Sequence, residues 1–96
     1  MSDDLEVAIQ QSGERREPVA LATVTEGPGE GARMLIWKAG HTRGDLGWPR
    51  LNQRVALYAE QLLERGSRPV EKQFDAHGGR VRVRFEFHNQ QPQESS

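Results

Sequence analysis

The residues best equipped for chemistry stand in one stretch, "GHTRGDLGWPR" (Gly40 to Arg50), which sets His41, Arg43, Asp45 and Trp48 among Gly40, Gly44 and Gly47. His41 and Asp45 are a candidate acid/base pair, and Arg43 is a candidate clamp for an anion. Each has an ordinary alternative: Asp45 beside Gly44 is turn chemistry, and Trp48 ahead of Pro49 can staple a helix that begins there. Because loops on a rigid scaffold carry binding groups more often than strands do, this stretch is the ligand-facing candidate.

A second glycine-rich segment, "GPGEG" (Gly27 to Gly31), invites a phosphate reading and fails it. A phosphate cradle leads from a strand into a helix N-terminus, whose N–H groups and dipole supply positive potential. Here an apolar run follows the loop, no Lys closes it, and Glu30 would repel an anion. Arg80, Arg82 and Arg84 form a third candidate, about 6.5–7 Å apart on one strand face, a spacing that suits successive phosphates. No aromatic residue interleaves with them, and a solvated face paired to Glu71, Gln73 or Asp75 across a hairpin explains the same row. His77 and His88 do not by themselves nominate a metal site, and no G-x-S-x-G or similar nucleophile motif occurs.

The 96 residues are one domain's worth of chain, with 34% apolar residues, so a thin core is expected, completed by dimerisation if at all. Thirteen basic and fourteen acidic side chains give a net charge of -1, leaving no overall field toward nucleic acid or an anionic membrane. With no Cys, thiol nucleophiles, disulfides and thiolate metal sites are excluded together. No apolar run approaches the roughly 18 residues of a membrane span, and the acidic N-terminus differs from a signal peptide; a cytoplasmic location is expected.

The elements that must position these residues follow from periodicity. Asp3 and Glu6 have capping-box spacing, and Leu5, Ala8, Ile9 and Ser12 then recur at helical spacing up to Gly13. "PVALATVT" and "ARMLIW" read as strands, the first buried on both faces, joined by "GPGEG" as an antiparallel hairpin. A short strand is expected around His41 to Arg43. Pro49 suits a first helical position, Leu51, Val55, Tyr58, Ala59 and Leu62 mark one helix face, and Gly66 ends it. Pro69 to Asp75 reads as an edge strand. In "RVRVRFEFH", Val81, Val83, Phe85 and Phe87 alternate with charged residues, so one face is buried. Residues 89–96 lack apolar side chains and read as a disordered tail. The fold class is α+β: a small, mostly antiparallel sheet of four to five strands with two helices, in the order α-β-β-(β)-α-β-β, over a single domain at 1–88.

"EPVALATV" (Glu17 to Val24), "GARMLI" (Gly31 to Ile36) and "AGHTRGDLGWPRLNQRV" (Ala39 to Val55) together resemble the N-terminal domain of the XdhC/CoxI family, the maturation factors of xanthine and carbon-monoxide dehydrogenases. "GGRVRVRFEFH" is similar, more loosely, to that domain's closing strand. The connection "EGPGEG" is a compressed form of a longer family loop. Where the family's glycine loop often bears a Cys, this chain has Gly47-Trp48. The resemblance is to a stand-alone, truncated form of that N-terminal domain, without the C-terminal Rossmann-like domain of most members. It implies binding of the molybdenum cofactor (molybdopterin), with Arg43, Gly44, Asp45, Gly47 and Trp48 as cofactor-binding residues and Trp48 stacking on the pterin. A molybdenum hydroxylase or a separate Rossmann-type domain protein is the implied partner.

Two readings follow. The first is a non-enzymatic accessory protein in molybdenum-hydroxylase maturation. The second is a protein-interaction or homodimerisation module that has lost the cofactor, recruiting a partner or a second copy through the sheet edge at Pro69 to Asp75 or through a poorly covered apolar face. Neither involves nucleic acid or a membrane.

Overall fold

A computed structural model describes residues 4–15, 17–38, 40–65, 68–76 and 79–88 of the chain. Asp3, Gly66, His77 and the segment 89–96, all used in the sequence reading, lie outside the described residues.

The order is α1 (Asp4–Arg15), β1 (Val19–Glu26), β2 (Arg33–Trp37), β3 (Thr42–Gly44), α2 (Pro49–Arg65), β4 (Val70–Ala76) and β5 (Gly79–His88). The strands form one antiparallel sheet in the spatial order β3-β2-β1-β5-β4. This is the α+β architecture expected, with both helices and the short third strand in their places. The third strand is displaced by one residue from the expected 41–43, and α1 runs through Gly13 to Arg15. Glu17 N donates to Ser12 O at 2.8 Å at the end of that helix, satisfying a terminal carbonyl.

Alternation along the central strand distributes the core between two faces. Ala20, Ala22 and Val24 of β1 join Met34 and Ile36 of β2, Val81, Val83 and Phe85 of β5, and the apolar stripe Leu51, Val55, Ala59, Leu62 and Leu63 of α2. Val19 and Leu21 point the other way, and with Leu35 and Trp37 they pack under Leu5, Ala8 and Ile9 of α1. One helix thus covers each face, which is why β1 is apolar at successive positions while β5, half uncovered, alternates. Phe87, expected in the buried row, is only half-buried at the strand's end. Phe85 is fully buried and meets Tyr58 edge-on at 5.3 Å between ring centroids. Truncating it to Ala would cost about 3–5 kcal/mol.

The "GPGEG" segment closes the β1–β2 hairpin: Gly31 N donates to Val24 O at 2.8 Å and Ala32 N to Gly29 O at 3.0 Å. Just ahead of it, the pairing of β1 with β5 is irregular between Val24 and Glu26, where Thr25 Oγ1 donates to Arg82 O at 3.3 Å.

Candidate functional site

The stretch from Gly40 to Arg50 straddles the edge of the sheet, and strand alternation divides it. Arg43 pairs in register with Leu35, a member of the cluster under α1, so its side chain belongs to the α1 face. It lines a groove of about 340 Å³ shared with Ser12, Arg15, Glu17, Trp37 and His41. Gly44, the next residue, lines a different hollow of about 530 Å³ against α2, with Thr42, Arg50 and Gln53. A Cβ on Gly44, whose φ is +101°, would stand 2.7 Å from Arg33 O, so backbone and neighbour both demand glycine there.

Downstream, the loop's polar groups are turned on one another. Asp45 Oδ1 accepts from Gly47 N at 2.7 Å, an Asx turn, and from Asn52 Nδ2 at 2.9 Å. Asn52 Oδ1 accepts from Leu46 N at 2.8 Å. The two amide groups that could have faced an external anion therefore face side chains of the fold, Gly47 N that of Asp45 in the loop and Leu46 N that of Asn52 in α2. The Asn52 bond first, and the Gly47 amide second, hold the Asp45 carboxyl below its ordinary pKa, because both favour the charged form. Trp48 O accepts from Asn52 N at 2.9 Å, the first bond of α2, so Trp48 occupies the helix-cap position and Pro49 the first helical one. Its ring packs on the core and against Gly29 of the hairpin.

His41 and Asp45, the acid/base candidates, do not form a pair. The His41 ring stacks on Trp37, with centroids 4.8 Å apart and planes 18° from parallel, while Asp45 engages Gly47 and Asn52. Trp37 is itself anchored: its indole Nε1–H donates to Ser12 Oγ at 2.8 Å in a buried contact. Arg15, Glu17 and Trp37, which sequence reasoning did not connect with the loop, become its neighbours through the packing of α1. The signal available in advance was the Trp37 and His41 pair flanking a tight turn, in which Trp37 N donates to His41 O and Gly40 N to Trp37 O.

The arginine row meets the expected partners in register, Arg84 opposite Glu71, Arg82 opposite Gln73 and Arg80 opposite Asp75. The ion pairs follow that register only at Arg80 and Asp75, 3.9 Å apart; Arg82 turns to Glu26 on β1 at 3.3 Å, and Arg84 to Glu86 at 3.9 Å. Among the described residues, no cluster of three His, Asp or Glu is placed to hold a metal ion. No described helix is long and apolar enough to cross a membrane.

Residues 13–75 match the model of the XdhC and CoxI family. The chain belongs to that family. The match takes in the end of α1, the hairpin, β3, α2 and β4, and so all of the Gly40 to Arg50 stretch. β5 lies beyond it, although in the sheet it stands between β1 and β4. A solved chain from Bacillus halodurans described as a xanthine dehydrogenase shares this family member's fold, with a TM-score of 0.67 and 21% identity. The likeness covers 88% of this chain and 30% of that one, so the chain spans about 30% of the length of its solved relative. No curated protein matches it.

Proposed function

We propose that this XdhC and CoxI family member is a non-enzymatic accessory domain, residues 1–88, that supports maturation of a molybdenum hydroxylase by binding its cofactor or the enzyme. The observation that carries the reading is the family match over residues 13–75, which includes the whole loop around Arg43. The solved relative's description as a xanthine dehydrogenase is consistent with it, and the relative's additional length leaves room for a separate Rossmann-type domain as partner.

The residues present suit the anionic end of a molybdenum cofactor. Arg43 is exposed and has no carboxylate partner among the described residues, and a guanidinium matches phosphate bidentately. Gly44 brings backbone rather than a side chain to the α2 side of the same strand. Asp45, Gly47 and Trp48 contribute by holding the loop, since their hydrogen bonds and ring contacts are made within the fold. A bound molybdenum cofactor would supply the redox metal for the hydroxylase. This chain contributes no thiol to sulfur transfer, since it contains no Cys.

Titrating the purified protein with molybdopterin while following Trp emission tests the cofactor arm, and a pull-down from the native host tests the enzyme arm. A saturable emission change, or co-purification of a molybdenum hydroxylase, is expected. Absence of both overturns the proposal.

A further inference from the structure

We infer that the groove between α1 and β3 is a binding site for a small phosphate-type anion, free or as a phosphomonoester, with Arg43, Arg15 and His41 as its donors. The site shares Arg43 and its groove with the cofactor arm of the proposed function and rests on that reading to this extent, but its test uses phosphate and a nucleoside monophosphate and not molybdopterin, so the two can fail separately.

Three features converge there. Arg43 projects from the sheet edge into the groove with no ion pair among the described residues, whereas Arg80, Arg82 and Arg84 of β5 are each engaged by a carboxylate. Arg15, the last residue of α1, lines the same groove from the helix, and its carboxylate partner among the described residues, Glu17, stands 3.9 Å away, which leaves most guanidinium donors unused. His41 lines the same groove, and its ring is located by its stacking at 4.8 Å on Trp37, whose indole N–H donates to Ser12 Oγ at 2.8 Å in a buried contact. An imidazole offers at least one N–H donor in either protonation state.

The charge count favours an anion. Two guanidinium groups and one carboxylate line the groove, and Lys38 lines the adjoining hollow, where the same carboxylate, Glu17, is the acidic group. The molecule as a whole carries a net charge of -1, so the positive excess is local to this face. The groove is open and its cations are solvated, so an isolated phosphate would bind weakly and competitively with salt. A phosphomonoester adds contact through the group it carries, and the exposed His41 ring, backed by Trp37, provides a flat surface beside the donors.

The test is an amide and indole NMR titration of the whole chain at constant ionic strength, with inorganic phosphate replacing chloride, and in a second arm with a nucleoside monophosphate. Saturable shifts are expected at the Trp37 indole N–H and the His41 to Arg43 amides. Arg43→Ala should weaken binding about tenfold, as loss of a charge-assisted bidentate contact would. Tighter binding in the second arm assigns the site to phosphomonoesters, and equal binding to the free anion. Arg15→Ala, on a different element, provides the second variant, and an unchanged Trp37 indole signal before titration certifies the fold of each. Shifts that do not saturate, that centre on Arg80 to Arg84, or that survive intact in both variants overturn the assignment.

Discussion

Trp48 lies so close to Gly29 that a Cβ built on the glycine would stand 3.1 Å from Trp48 Cζ3. The hairpin turn and the entry to α2 are therefore one packed unit, and "GPGEG" serves the fold by making room for an indole. Gly29→Ala combines that contact with a φ of +84°, and it should destabilise the protein by about 1–3 kcal/mol. Thermal melting should show the midpoint falling by roughly 4–8 °C per kcal/mol. In a Trp48→Phe background the same substitution should cost less; equal cost in both would mean that the ring contact contributes nothing.

Gly44→Ala should be the costlier of the two glycine substitutions. Its added Cβ meets a backbone oxygen, Arg33 O, at 2.7 Å, and the backbone of a paired strand yields less readily than a ring edge. Comparing the two variants by urea unfolding decides the order, and a Gly44→Ala protein as stable as Gly29→Ala would contradict it.

Ser12→Ala leaves the Trp37 indole N–H buried without its acceptor. An unpaired buried donor costs about 1–3 kcal/mol, and the loss should appear as lower stability together with a changed Trp37 emission or indole NMR signal. Since Trp37 also positions His41, phosphate affinity in the α1 groove should fall in the same variant. Unaltered stability and an unaltered indole signal would show that the bond is not made in solution.

Acid should loosen the loop before α2. The Asp45 carboxyl is held below its ordinary value of 3.8 by Asn52 and then by the Gly47 amide, so the folded state binds that proton less readily than the unfolded one. The stabilisation is in place above pH 3.8 and is lost as pH falls below that value through the folded-state pKa. Asp45→Asn keeps an acceptor oxygen without titrating, so its stability should vary less with pH across that window. In Asn52→Ala the Asp45 titration, followed by carboxyl NMR, should move upward toward the ordinary value; no movement would remove Asn52 as the cause.

Lys72 guards the outer edge of the sheet. It lies on β4, the last strand in the order, with Nζ 4.9 Å from the centre of the Tyr58 ring. A charged edge residue discourages strand-to-strand pairing between copies. Lys72→Val should therefore raise concentration-dependent self-association in sedimentation velocity, and a monomer unchanged at high concentration would show the edge to be protected by other means.

Periodicity and turn chemistry made most of the fold legible in advance. The alternation of Val81, Val83 and Phe85 with arginines, the stripe from Leu51 to Leu62 and the glycines between strands are local signals, set by repeats of 2 and 3.6 residues and by backbone stereochemistry. The residues "EPVALATV" and "GARMLI" carried the family resemblance for the same reason: both code for contiguous strands whose side chains must fit a crowded core. Other relationships have no local signature. β5 pairs with β1 as well as β4, so Arg82 finds Glu26 across 56 positions of sequence. Arg43 and Gly44 are adjacent in sequence and read there as one site, yet the strand sends them to opposite faces, toward α1 and α2. Asp45 is an unpaired carboxylate in the local sequence, whereas in the fold Asn52, a full helical turn into α2, holds it. Contacts of this kind depend on which elements pack together. That is a balance of apolar burial across the whole chain, and no window of sequence contains it.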